Sequence, residues 1–206
     1  MSEAPVSLAA TPGWFGKLPS LGDFASRRLP DIFVRRWDRW LQRGLVTARS
    51  QLGEAWQGTY LVAPILRFWL APGVLGEHGW AGLMMPSVDR VGRHFPLTIA
   101  RPVEPLAEAL AARAWFRALD AAARQVLDVE FSVDDLERAL GAVSAIEPQV
   151  PDEAAEQLAE DALQRCNAPA PCSLWWCGDA DAAAEIRCFA ALPPAAAFAS
   201  LIGGPR

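Results

Sequence analysis

A lysine that follows a glycine in a loop can cradle phosphate, and Gly16-Lys17 within "GWFGKLPSLGDF" (residues 13–24) raises that possibility. A phosphate loop needs another glycine five positions earlier, so that successive N–H groups converge, and a Ser or Thr after the lysine to hold a metal. Thr11 and Leu18 stand at those two positions, and residues 2–12 offer no apolar strand to lead into the loop. Nucleotide binding is therefore not expected. Hydrolysis would need a nucleophile beside a base, or two carboxylates held in different environments. The loop residues near Gly and Pro that could supply such a set are Ser20, Ser87, Asp23, Asp89 and His94, and no GxSxG elbow contains either serine. A small hydrolase or ligand-binding enzyme built on Asp23, Asp89 and His94 is the alternative reading. It requires the three within hydrogen-bond reach of one pocket. The plainer one makes Asp89 a turn-capping acid beside Arg90 and His94 a partly exposed residue at a strand start.

Cys166, Cys172, Cys177 and Cys188 all fall in the last quarter of the chain, with no CxxC spacing, and His78 and His94 lie far upstream. A zinc site would have to recruit distant partners, so buried free thiols are expected, and no cofactor or metal is implied. The N-terminus "MSEAPVSLAATPGW" has neither a basic start nor an apolar export segment, and no window is apolar enough to span a membrane. The expected location is the cytoplasm, where disulfides are disfavoured.

Those candidate residues must be positioned by the elements between them. With 52% apolar and 21% charged residues, the 206-residue chain is long enough for one substantial core, and nine tryptophans supply it. A flexible tail is expected over residues 1–12 and a single domain over 13–202. Trp14 to Leu18 reads as a strand, and "PSLGD" as a turn. Pro30 and Asp31 suit a helix start, after which Phe33, Trp37, Trp40, Leu41, Ala48 and Leu52 recur in one stripe, leaving Arg35, Arg36, Arg39 and Arg43 off it. Strands are expected at Pro64–Ala71, Gly79–Met85 and Phe95–Arg101, with connections short enough to favour antiparallel pairing. Leu106 to Leu127 reads as one helix, Ser132 as the N-cap of the next with Asp135 completing a capping box, and Asp152 to Arg165 as a third. "SLWWCGD" and "EIRCFAALP" give two closing strands and "PAAAFASLI" a last helix. That order predicts an α+β fold, a layered domain with a mostly antiparallel sheet of five to six strands.

Charge is divided unevenly: residues 1–101 hold twelve Lys/Arg against seven Asp/Glu, and residues 102–206 hold seven against seventeen. A sequence pI near 5.1, with the helix aromatics on the buried stripe, argues against nucleic acid as a partner. "GKLPSLGDFASRR" and "PSVDRVGRHFP" each place Pro-Ser, a glycine, an aspartate and arginines between apolar runs, more polar detail than a turn requires. The two loops could pair at one end of the sheet. Their residues Lys17, Ser20, Asp23, Arg27, Arg28, Asp89, Arg90 and Arg93 then either pin the loops by salt bridges or form a partner-docking surface.

Four stretches, "GWFGKLPSLGDF", "RRLPDIFVRRWDRWLQRGL", "WQGTYLVAPILRFWLAPGV" and "GLMMPSVDRVGRHFPLTIARP", closely resemble the TagF family of type VI secretion-associated proteins of Gram-negative bacteria. The likeness covers roughly residues 13–103; beyond it only the general pattern and "LWWCGD" match. The resemblance implies a cytoplasmic, non-enzymatic regulator that represses type VI secretion after translation. It also implies a partner, the forkhead-associated-domain scaffold protein Fha. Some relatives carry a fused PppA-type phosphatase, which these residues do not contain, and the resemblance supplies no catalytic residues. The eight loop residues, with the basic flank of helix 31–52, are the expected docking surface. A structural subunit of the secretion machine is a third reading.

Overall fold

Alternation of side chains along the central strands decides how this chain layers, because those strands are covered on both faces. The computed structural model describes residues 11–145, 149–167, 170–180 and 182–203. Most of the expected N-terminal tail lies outside them. Strands β1 (Gly13–Gly16) and β2 (Ala25–Arg27) lead into α1 (Asp31–Leu52) and the short α2 (Trp56–Leu61). Strands β3 (Leu66–Leu70), β4 (Trp80–Met85) and β5 (Leu97–Pro102) follow. Then come α3 (Leu106–Ala111), α4 (Arg113–Gln125), α5 (Val133–Ser144) and α6 (Glu153–Cys166). Strands β6 (Cys172–Cys177) and β7 (Arg187–Ala190) and helix α7 (Phe198–Ile202) close the described chain.

The strands form one seven-stranded sheet in the order β2-β1-β5-β4-β3-β6-β7, every neighbouring pair antiparallel. The expected α+β architecture is present, with seven strands instead of five or six. The extra one is β2, whose three residues "ASR" are too few to display a period-2 pattern.

In β3 and β6 the register sets Phe68 opposite Trp175 and Arg67 opposite Trp176. Phe68 and Trp175 point to α1, where the Trp37 ring lies 5.0 Å from Phe68 and 5.9 Å from Trp175. Arg67 and Trp176 point the other way, to Phe116 of α4, at 5.0 Å and 5.6 Å. The sheet is thus sandwiched between α1 with α7 and the helical layer that contains α4. This explains why "LRFWL" and "WAGLMM" are buried at every position instead of alternating.

Helix α1 buries Phe33, Trp37, Trp40, Leu41, Gly44 and Ala48 and leaves Arg35, Arg36, Arg39 and Arg43 exposed, as its periodicity predicts. Asp38 accepts a hydrogen bond from Gln42 on the same helix. Gly44 is where α7 crosses: a Cβ there would stand 2.3 Å from the Phe198 ring.

Two helical expectations are corrected. The expected helix 106–127 breaks at Ala112, whose ψ of 39° ends α3 and starts α4. Its alanine-rich sequence favours continuation, but α3 packs on α6 while α4 packs on α5 and the sheet, and one straight rod cannot reach both. Helix α2 was not expected, since Gly58, Thr59 and Tyr60 are weak helix formers; burial of Trp56 and Tyr60 holds it. The capping box at Ser132 and Asp135 is formed as its spacing predicts.

Candidate functional site

The adjacency of β1 and β5 brings the loop after β1 and the loop between β4 and β5 to the same end of the sheet. Gly16 is demanded by that adjacency. Its φ is +147°, and a Cβ would sit 2.2 Å from the carbonyl oxygen of Pro96. The glycine that suggested a phosphate loop thus lets two backbones meet, and it aims the following lysine inward.

Lys17 and Asp89 form a buried ion pair, Nζ to Oδ2 at 2.7 Å, with side chains 6% and 0% exposed. Arg93 Nε donates to the same oxygen at 2.6 Å, and the backbone N–H groups of Val91 and Arg93 donate to Oδ1 at 3.1 and 2.9 Å. Burial alone would raise the Asp89 carboxyl. The donors from Lys17, Arg93 and Val91 outweigh it and hold the group well below the ordinary carboxylate range. Ser87 Oγ donates to the Lys17 carbonyl at 2.7 Å, and the Tyr60 hydroxyl donates to the Ser87 carbonyl at 2.9 Å. Burial, against a smaller effect of that backbone bond, pushes the Tyr60 hydroxyl upward, so it stays a neutral donor. The loops also meet through backbone: Arg90 N–H donates to the Leu21 carbonyl at 2.9 Å, and Arg93 Nη2 to the Gly22 carbonyl at 2.6 Å.

Aromatic rings close the underside. Phe24 stands edge-on to Phe95 at 4.7 Å and stacks on Phe15 at 6.0 Å, with the Lys17 ammonium 4.8 Å from its centre. A second clamp lies alongside. Arg28, at a φ of +59°, grips Glu137 of α5 with two nitrogens and the Pro12 carbonyl with Nε and Nη2. Trp14 Nε1 completes the Glu137 carboxylate at 2.6 Å. Burial opposes ionisation of Glu137, but Arg28 and Trp14 prevail and lower its pKa.

The eight expected interface residues therefore separate by geometry. Lys17 and Asp89 are buried in a mutual contact, Arg28 is engaged by α5, and Arg93 is half committed to Asp89. Ser20 is half-buried, with its Oγ lacking a partner among the described residues. Asp23 caps the Phe24 N–H at 2.8 Å and, like Arg27 and Arg90, faces solvent. Arg90's guanidinium is engaged by no described residue. Phe24 and Val91, 44% and 69% exposed, complete the tip of the paired loops.

The residues of the enzyme reading are scattered in function. Asp89 is saturated by Lys17 and Arg93, Asp23 serves its own turn, and His94 packs edge-on against Tyr60 at 5.1 Å. Burial and then the charge of Arg49 lower the His94 pKa, favouring the neutral ring. No hydrogen bond among the described residues joins any two of the three. A cleft of about 1150 Å³ opens elsewhere, lined by Thr59, Trp176, Asp179, Glu185 and Arg187 among others, and none of the three borders it.

Sequence reasoning missed the buried cations of the opposite face. Arg67 donates to Asp179, whose other oxygen takes Arg117 Nη1 at 3.0 Å, and Arg101 lies over the Trp115 ring at 4.2 Å. An arginine inside an otherwise apolar strand, as in "LRFWL", is the signal that could have found them.

Residues 13–143 match the family "TagF N-terminal domain, Type VI secretion system-associated". The protein belongs to that family, and its role is connected with type VI secretion. Its fold is shared with the crystal structure of PA0076 from Pseudomonas aeruginosa PAO1, at 36% sequence identity and a TM-score of 0.77, with 95% of each chain covered. A search of curated proteins gives no match. No helix among the described residues is long and apolar enough to cross a membrane.

Proposed function

We propose that this protein is a cytoplasmic repressor of type VI secretion, acting after translation by binding an Fha-type scaffold protein through the tip of its paired loops. Family membership supports the pathway. The observation that carries the docking surface is the buried Lys17–Asp89 pair, because it spends its charges on rigidity and leaves Arg27, Arg90, Phe24 and Val91 presented on a fixed base. Preorganisation of that kind lowers the entropy lost when a partner docks. Arginine beside exposed apolar side chains is the composition of interface hot spots. The reading assigns the chain a binding role and no catalysis.

Co-purification of the full chain with its cognate scaffold at low salt tests the partner. Association should be abolished by the paired substitution Arg27→Glu and Arg90→Glu while the melting temperature stays within about 2 °C of the parent, the scale of a change near 0.5 kcal/mol. Undiminished association in that variant would remove the loop tip as the docking surface. Absence of association by the unaltered protein would remove the scaffold itself. Overproduction should lower export of the tube protein Hcp, and unchanged export would count against repression.

A further inference from the structure

The chain brings three of its four cysteines to one point. Cys166 is the last residue of α6, Cys172 the first of β6 and Cys188 the second of β7. Register explains the meeting. Leu174 stands opposite Cys188, so Cys172, two residues before Leu174, shares its face and lies diagonally across from Cys188. Helix α6 packs on β7 and delivers Cys166 from a third element. The sulfurs of all three lie within 4.8 Å of one another. Cys166 and Cys188 are joined as a disulfide, with Cα atoms 5.3 Å apart, so the expectation of four free thiols is corrected. Cys172 and Cys177 remain thiols.

A covalent staple between α6 and β7 uses two sulfurs and gives no reason for a third beside them. Three thiolates on three elements do match the donor set of a thiophilic cation. We propose that the reduced chain binds one Zn²⁺ through Cys166, Cys172 and Cys188, and that the disulfide is the metal-free state of the same site. Tetrahedral Zn–S bonds of about 2.3 Å set the sulfurs about 3.8 Å apart, a spacing this cluster reaches by side-chain rotation once the bond opens. The balance is simple. A dithiol supplies two electrons and two protons and leaves as its own disulfide, or a phosphine supplies the electrons while one water gives the two protons and the oxygen of the phosphine oxide. Zn²⁺ then displaces three thiol protons, leaving a centre of net charge −1 with a fourth position for water. Cys166 and Cys188 are only half-buried, which gives a metal and a reductant access, whereas Cys172 is buried. Cys177, at the other end of β6, belongs to the 1150 Å³ cleft and serves as an internal control.

The test uses the full chain, reduced with a phosphine under argon and titrated with Zn²⁺ against a chromogenic chelator, with Co²⁺ as a spectroscopic stand-in. One equivalent of Zn²⁺ should be retained, and Co²⁺ should give thiolate-to-metal charge-transfer absorption. Cys166→Ser, Cys172→Ser and Cys188→Ser should each weaken binding by about a hundredfold or more, the upper end of what loss of a mere supporting group costs. Cys177→Ser should leave it unchanged. The oxidised chain should bind none. The unaltered chain supplies a readout independent of how the variants fold: Zn²⁺ should slow alkylation of Cys166, Cys172 and Cys188 in the reduced protein but not of Cys177. The proposal is overturned if the reduced chain retains no Zn²⁺, if Cys172→Ser binds like the parent, if the disulfide form binds equally, or if alkylation is not slowed.

Discussion

The loop end and the sulfur corner of this sheet are held by opposite means. At the loop end charged groups do the fastening: Lys17 and Asp89 are buried together, and Arg28, just after β2, is paired with Glu137 of α5 nearer the surface. At the β6–β7 corner, small side chains do the packing, with Ala155, Ala159 and Ala162 as the buried stripe of α6 and the cysteines beside it. The contrast teaches that polarity in a sequence is a poor guide to exposure. Lys17, Asp89, Arg28 and Arg93, which looked like docking groups, are engaged within the fold, and cysteines without metal-binding spacing in the sequence meet at one point.

The largest effect should come from the residue that joins the two regions. Trp37 is fully buried, contacts Phe33, Trp40, Phe68 and Trp175, and donates from Nε1 to Thr98 Oγ1 at 2.8 Å. Trp37→Ala should cost about 4 kcal/mol and leave Thr98 without its donor, and chemical denaturation should show one transition shifted as a whole. Two separated transitions would mean that the regions stabilise themselves independently.

Next come the fasteners. Lys17→Ala and Asp89→Ala should each destabilise by about 3 kcal/mol, because the surviving charge is left buried, whereas the double substitution should cost much less than their sum. Additive losses would show the pair to be two unrelated contacts. Asp89's depressed pKa fixes the sign of the pH dependence. Above its ordinary value of 3.8 both folded and unfolded forms are ionised, and the contribution is complete; below it the unfolded chain takes up the proton first, and stability drains away as pH falls toward the folded value. Asp89→Asn should flatten that acid limb in thermal melts between pH 5 and about pH 2.

The smallest effect belongs to the helical layer. Ser132 accepts from the Asp135 N–H and is answered by the Asp135 carboxylate, whose pKa falls to about 2 through bonds from Ser132 and Arg138. Ser132→Ala should cost about 1 kcal/mol, read from the denaturation midpoint. A loss as large as that from Lys17→Ala would mean that an exposed helix cap weighs as much as a buried ion pair.

How far the sequence could be read follows the same division. The α1 stripe, the capping box and most strands were legible because periodicity and capping are local signals. The pairing of the two polar loops was legible as an idea, since both carry unspent charge, but not its wiring: Asp89 chose Lys17 over the arginines of the other loop because Gly16 lets β5 approach and turns the lysine inward. Strand β2, helix α2 and the break at Ala112 were not legible. Three residues of β2 are too few to show a period, whereas α2 and the break at Ala112 depend on contacts with elements distant in sequence, which override propensity. The sulfur cluster was hidden for the same reason, with spacings of five and fifteen intervening residues that only the β6–β7 register converts into proximity.

The strand order bears on how the chain is made. Strand β3 is completed on one side by β4, whose partners lie within eighteen residues downstream (Leu66 with Met84), but on the other by β6, which exists only once residues 172–177 have been translated. Until then the apolar edge "LRFWL" has backbone donors and acceptors with no strand to satisfy them, although the matched family segment, which ends at residue 143, is already complete. A chain stopped at that boundary would carry an open, sticky sheet edge in its centre. Strand β6 thus gives that central edge its partner, and the edge stays open until residues 172–177 have been made.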